Sequence, residues 1–140
     1  MGQTIGLVKS YPIENASGVN KYCCVVQGAA DGNCKLPTAQ NAKGFLGVTV
    51  ESQPNQYRGV PVCRAGSIYS MTAGGTIARG DRVAINSAAG DVYSVEALIE
   101  AAPSGTAAQY HVVGRAEVSA VAGDIFPVFI EDYTVNLAAS

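Results

Sequence analysis

Tryptophan is absent from the 140 residues, histidine occurs once, and only 14% of the side chains are charged, roughly half the usual share. The single imidazole excludes metal sites built from two or more histidines. A Ser-His-Asp or Cys-His arrangement would have to use His111, within Gln109-Tyr110-His111-Val112-Val113, and draw every partner from distant segments. The missing tryptophan argues against a carbohydrate cleft of the glycosidase kind. Low charge excludes a disordered acidic or basic tail. A net charge of -2 with a pI of about 5.2 leaves no large positive field to hold nucleic acid by counterion release. No run approaches the roughly 18 apolar residues of a membrane span. The first residues lack a charged n-region, and their apolar stretch is too short for a signal peptide. Gly6 stands where a myristoylation motif wants Ser or Thr. The expectation is a chain made in a cytosol, and used there or assembled into something larger.

Cysteine is present four times, at Cys23, Cys24, Cys34 and Cys63, but without the paired spacing of a zinc site. On a strand, Cys23 and Cys24 face opposite sides and do not share a metal. Without a secretory signal a disulfide framework is not expected, which leaves free thiols acting as small buried hydrophobes. The 11 carboxylates are scattered, and those beside glycine suit turns, where Asp satisfies backbone donors. Arg79-Gly80-Asp81 matches an adhesion tripeptide, but Gly-Asp leading into a strand has its own structural cause. Ala73-Gly74-Gly75-Thr76 lacks the Lys-Ser or Lys-Thr ending of a phosphate loop. No metal or cofactor is expected, and no catalytic role.

What is abundant is short β-branched runs punctuated by Gly, Asn, Asp and Pro, the pattern of an all-β domain. Strands are expected in Tyr22–Val26, Phe45–Val50, Gly59–Arg64, Arg82–Asn86, Gln109–Val118 and Ile125–Ile130, with Ser67–Ser70 as a further candidate. Pro61 and Pro127 cannot donate to a ladder, which assigns the first strand to an edge or a bulge and the second to an edge. Val92–Val95 reads as a return strand, followed by at most one or two helical turns over Glu96–Ala101 before Pro103. Gly80-Asp81 and Gly123-Asp124 each lead into an apolar strand, and Gly47 and Gly114 each interrupt one. These echoes point to two Greek-key-like halves, with bends at the broken strands. The expected organisation is an N-terminal arm (1–20), one β-domain (21–132) and a C-terminal arm (133–140). The arms carry Ile5, Leu7, Val8, Ile13, Val135 and Leu137 with few charges. Arms of that kind either pack on their own domain or lie along a partner, for instance by adding a strand to an exposed edge. Arg and Tyr anchor protein interfaces. The candidate partner contacts are therefore Tyr57, Arg58, Arg64 and Tyr69, with Ile5, Leu7, Val8, Val135 and Leu137 of the arms.

From Gly44 onward the chain resembles the capsid cement, or head decoration, proteins of tailed bacteriophages. The resemblance rests on the Gly-broken strand Phe45–Val50, the strand Val62–Gly66, Gly80-Asp81-Arg82-Val83, and Gly90-Asp91-Val92-Tyr93. It ends on Val113-Gly114-Arg115-Ala116, with its Ala-Gly-Asp turn and closing strand to Ile130. The segment Glu96–Ala108 is longer and richer in Ala than that pattern. The resemblance implies a small jelly-roll-like β-barrel or sandwich on the outer surface of a virion assembled in the host cytoplasm. It implies a homodimer, or a trimer, at a capsid symmetry axis, bridging copies of the major capsid protein against DNA pressure, with no direct nucleic-acid contact and no membrane. A receptor- or carbohydrate-binding β-domain displayed on a particle is the second reading, with the loop Gln53–Arg58 as its contact.

Overall fold

The computed structural model describes residues 7–139. They form β1 (Val8–Pro12), β2 (Cys24–Gln27), β3 (Cys34–Lys35), β4 (Phe45–Thr49), β5 (Gly59–Cys63), β6 (Ile68–Thr72), β7 (Arg82–Ile85), β8 (Val92–Ser94), α1 (Val95–Ala101), β9 (Ala107–Ala116) and β10 (Ile125–Ala138). The fold is all-β apart from α1. Two five-stranded antiparallel sheets run β1-β5-β4-β2-β3 and β6-β10-β9-β7-β8. Counted from each sheet's own first strand, the two orders are identical: first, fifth, fourth, second, third. Each sheet curls until its outer strands touch in a parallel bridge, Ile13 with Cys34 and Ala73 with Val92.

The correspondence holds residue by residue. Val8–Cys63 and Tyr11–Val60 in the first half match Ile68–Phe129 and Met71–Phe126 in the second. Cys24–Val48, Val25–Gly47 and Val26–Phe45 match Arg82–Arg115, Val83–Gly114 and Ala84–Val112, with a bulge at the same step. Loop bonds repeat as well. Val19 and Gln53 exchange N–H and C=O as Ile77 and Ala120 do, and Tyr57 N–H donates to Ile13 C=O as Gly123 N–H does to Ala73 C=O. One five-strand unit is built twice, which gives the two expected halves a common architecture.

Both interrupting glycines follow from close approach. A Cβ on Gly47 would lie 2.2 Å from the Cys63 carbonyl oxygen, and one on Gly114 would lie 2.7 Å from that of Phe129. The bulged residues beside them, Leu46 and Val113, turn into the core. The prolines depart from expectation, because β5 and β10 both lie inside their sheets. Pro61 and Pro127 sit where the neighbouring strand has just ended, and each carbonyl accepts from the first residue beyond it, Val50 and Glu117. The pairing there is one-sided, the proline carbonyl accepting a bond with no N–H given back, which a position just past the neighbouring strand's end tolerates.

Three apolar clusters hold the molecule together. Tyr11, Ile13, Val25, Leu46, Val60 and Val62 fill the first half. Met71, Ile77, Val83, Val113, Phe126 and Val128 fill the second, and their cluster continues into the outer face of the first half through Cys24, Val26, Phe45, Val48 and Cys63. Each fully buried Val, Ile or Phe contributes about 1.5–3 kcal/mol of transfer free energy. The third cluster lies under α1, where Val95, Leu98 and Ile99 meet Ala84, Tyr110, Val112, Val135 and Leu137. Ser94 caps this helix, its hydroxyl accepting from Ala97 N–H at 3.2 Å. The helix therefore starts one residue before the expected span, straight from the return strand.

The expected arms are parts of the sheets. Val8–Pro12 pairs along its whole length with β5, and Tyr133–Ala138 continues β10 against β9. Of the two options open to a low-charge apolar arm, these segments take packing on their own domain. Residues 1–6, including Ile5, and residue 140 lie outside the described residues.

Candidate functional site

The expected contact residues divide into three groups. Tyr57 and Arg58 are exposed in the loop between β4 and β5, with Tyr57 64% accessible. Tyr57 holds φ +61, a left-handed conformation that costs a side-chain-bearing residue about 1–2 kcal/mol. At the other end of β5, Leu7 and Val8 are exposed beside Arg64, whose N–H donates to the Leu7 carbonyl. The Arg64 guanidinium is half-buried, donates to the Tyr11 hydroxyl and lies 5.9 Å over that ring. The fold thus brings Leu7, Val8 and Arg64 together and leaves Tyr57 and Arg58 apart from them.

The third group is buried or half-buried. Tyr69 is 4% exposed, its ring 5.7 Å from that of Tyr22. Its hydroxyl points to the Val50 carbonyl, and burial pushes its pKa up. On β6 it shares the inward phase with Met71, so its role is to join the halves. Val135 and Leu137 are half-buried against α1. Their place in the third cluster gives part of each side chain a contact within the chain.

The sequence reading missed the outer face of β10. Phe126, Val128 and Ile130 point inward, and Ile125 and Phe129 point outward at 50% and 38% exposure. Phe129 lies between Ile68 of β6 and Arg115 of β9. A strand apolar in both phases is the available signal, because a half-solvated strand alternates. Val121 is also exposed, on the turn before β10.

The chemical groups are mostly committed to structure. Asp81 Oδ2 accepts from Ala78 N–H and Asp124 Oδ2 from Val121 N–H, both at 3.0 Å, so the adhesion-like tripeptide is half of a repeated turn. The Glu14 carboxylate accepts from Ala29 and Ala30 N–H and from the Asn33 amide, and the Ala30 and Ala29 bonds hold its pKa below the usual value. All four thiols are free and buried. Burial raises the pKa of Cys23 and Cys24, and takes Cys34 up to about 11. His111 is half-buried, its backbone N–H held by Asn41 Oδ1 at 2.8 Å. It borders a 570 Å³ groove that also carries Lys35 and Lys43. Among the described residues no three His, Cys, Asp or Glu side chains gather as metal ligands. What remains is a set of exposed apolar and aromatic surfaces: Leu7 with Val8, the Tyr57 loop, and the Ile125–Phe129 face.

The fold is shared with the N base of the head fiber gp8.5 of bacteriophage phi29. That similarity has a TM-score of 0.61 at 18% identity and covers 89% of this chain and 95% of that one. No family model and no curated protein matches the sequence.

Proposed function

We propose that this chain is a structural protein of a tailed-phage virion, a cement or decoration protein on the outer capsid surface. In this reading it bridges neighbouring major capsid protein subunits as a homo-oligomer and braces the shell against packaged DNA. The observation that carries the proposal is the shared fold with the base of a phage head fiber over nearly the whole of both chains. The surface chemistry supports a contact role over a catalytic one, because large apolar side chains stand exposed, while Asp81, Asp124 and Glu14 are spent on turns. A single contact near the standard 1,600 Å² has modest strength. An oligomer that grips several shell subunits gains roughly 10²–10⁴ in avidity without new contacts.

The test is stoichiometry and shell survival. Mass spectrometry of purified particles should give a simple fraction of the shell-subunit count. Particles lacking the chain should form but burst sooner under heat or low salt. Absence from particles, or wild-type survival without it, overturns the proposal. A few copies per particle would replace it with the receptor-binding reading, for which the exposed, strained Tyr57 is the natural contact.

A further inference from the structure

We propose that copies of this chain associate head to tail, the outer face of one copy's second half docking over the open side of the next copy's first half. This names the surfaces of the homo-oligomer proposed above and rests on that reading. The evidence for the contact is that the molecule already contains one instance of it.

Inside the chain, the outer face of the first half is sealed by the second. Cys24, Val26, Phe45, Val48 and Cys63 are each at most 5% exposed. What covers them is the side of the second half where β6 meets β8. There Cys24 N–H donates to the Gly90 carbonyl at 2.8 Å, Cys24 Sγ lies 4.0 Å from Met71 Sδ, and Asn41 N–H donates to the Ile85 carbonyl at 2.8 Å.

Both components of this contact recur at places that the described residues leave partly open. By the register of the two sheets, Met71, Ile85 and Gly90 correspond to Tyr11, Gln27 and Gly32. The two glycines share a left-handed φ, +80 at Gly90 and +82 at Gly32. Tyr11, Gln27 and Gly32 line a solvent-open hollow of 210 Å³ in the first half, with Leu46 at its wall and Asp31 at its rim. The other component repeats too, since Cys24, Val48 and Cys63 correspond to Arg82, Arg115 and Phe129. In the second half α1 covers Ala84 and Val112, the counterparts of Val26 and Phe45. The Phe129 end stays open, with Ile125 50% exposed on the same face.

A second copy is therefore the occupant with matching geometry. By that correspondence its Arg82 would take the place of Cys24 against Tyr11 and Gly32, with Arg115 and Phe129 next to it across the sheet. Arg115 would bring positive charge to Asp31. Because the two surfaces differ, the contact is heterologous, and successive copies form a ring if the rotation closes.

The experiment is sedimentation velocity on the full chain and two surface variants. Phe129→Lys alters the face and Asp31→Arg alters the rim, so the two altered surfaces also repel one another. At about 100 µM, a hundredfold above a micromolar Kd, the unaltered chain should sediment as an oligomer. Each variant alone should fall to the 14.3 kDa monomer with its thermal unfolding retained. The decisive sample is the equimolar mixture. It has one intact face and one intact hollow, so it should yield a 1:1 dimer and nothing larger. A monomeric unaltered chain, an oligomer that survives either change, or a mixture that stays monomeric overturns the inference. If a monomeric chain still binds shells, the cement reading stands and only this contact fails. An intact oligomer that is absent from particles separates the two in the opposite direction.

Discussion

Replacing Tyr57 isolates the energetic difference between the two halves. Tyr57 and Gly123 occupy the same place in the repeated unit, with φ +61 and +91 and the same N–H bond to the unit's first closing residue. The left-handed region costs a residue with a Cβ about 1–2 kcal/mol. Glycine escapes that cost but loses about 0.5–1 kcal/mol through the greater freedom of its unfolded chain. Tyr57→Ala removes the ring and keeps the strain; Tyr57→Gly removes both. The Gly variant should therefore be the more stable of the two by about 0.5–1 kcal/mol, against the usual order. Gly123→Ala should lose the same amount, because a Cβ there meets nothing within 4 Å and backbone strain alone acts. In urea, with m near 2 kcal/mol/M, each difference shifts the midpoint by about 0.3–0.5 M at constant m. Equal stability of the two Tyr57 variants, or a stabilising Gly123→Ala, refutes the argument. Tyr22, at the position of Gly80, behaves differently. Its ring packs on Tyr69 at 5.7 Å, so Tyr22→Gly should destabilise despite relieving φ +65.

Gly47→Ala forces a Cβ within 2.2 Å of a carbonyl oxygen and should cost about 3 kcal/mol or more, read as a fall in urea midpoint; near-wild-type stability would mean the strands can part. Glu14 has a folded pKa below its ordinary 4.5, so its turn-holding contribution is present above that pH and lost as the pH falls through the lower folded value. Glu14→Gln should accordingly lower the melting temperature at pH 7, with the gap closing below about pH 4, and a gap that widens in acid would contradict the assignment. The buried thiols, with burial raising the pKa of Cys24 and taking Cys34 to about 11, should resist a disulfide reagent at pH 8 until urea unfolds the chain. Rapid labelling of the native protein would show that the interior opens locally.

Much of the fold is legible because backbone requirements leave marks in residue type. The runs at Phe45–Thr49, Gly59–Cys63 and Arg82–Ile85 form strands, and the helix stops before Pro103. Gly47 and Gly114 mark bends, as strand glycines do. The proline rule erred because it treats an edge as a whole strand, whereas Pro61 and Pro127 need only a locally missing neighbour. The interface residues were read by type alone, and type does not reveal phase. Tyr69 shares its inward phase with Met71, and Val135 and Leu137 meet a helix whose position no local pattern fixes. The duplication showed only as an echo. Register conserves which backbone groups meet, and few pairs, such as Pro61 with Pro127 or Val62 with Val128, also keep the side chain.

Where the halves differ bears on how copies meet. The first half passes from β3 to β4 through a loop whose Asn41 reaches Ile85 and His111, which ties the halves together. The second half places α1 at that point and extends β9 and β10 beneath it, covering Ala84 and Val112. A copy docking on this face finds only the Phe129 end of a surface that is buried whole inside the chain. In the proposed assembly the contact between copies would therefore be smaller than the contact between halves, with Arg82 and Arg115 in place of the Cys24 and Val48 of the internal version. A smaller contact with charge at its edge would suit the reversible assembly that the proposed cement role calls for, where avidity supplies what each interface lacks. The internal contact, apolar side chains joined by backbone and Asn41 hydrogen bonds, suits two halves that fold as one unit.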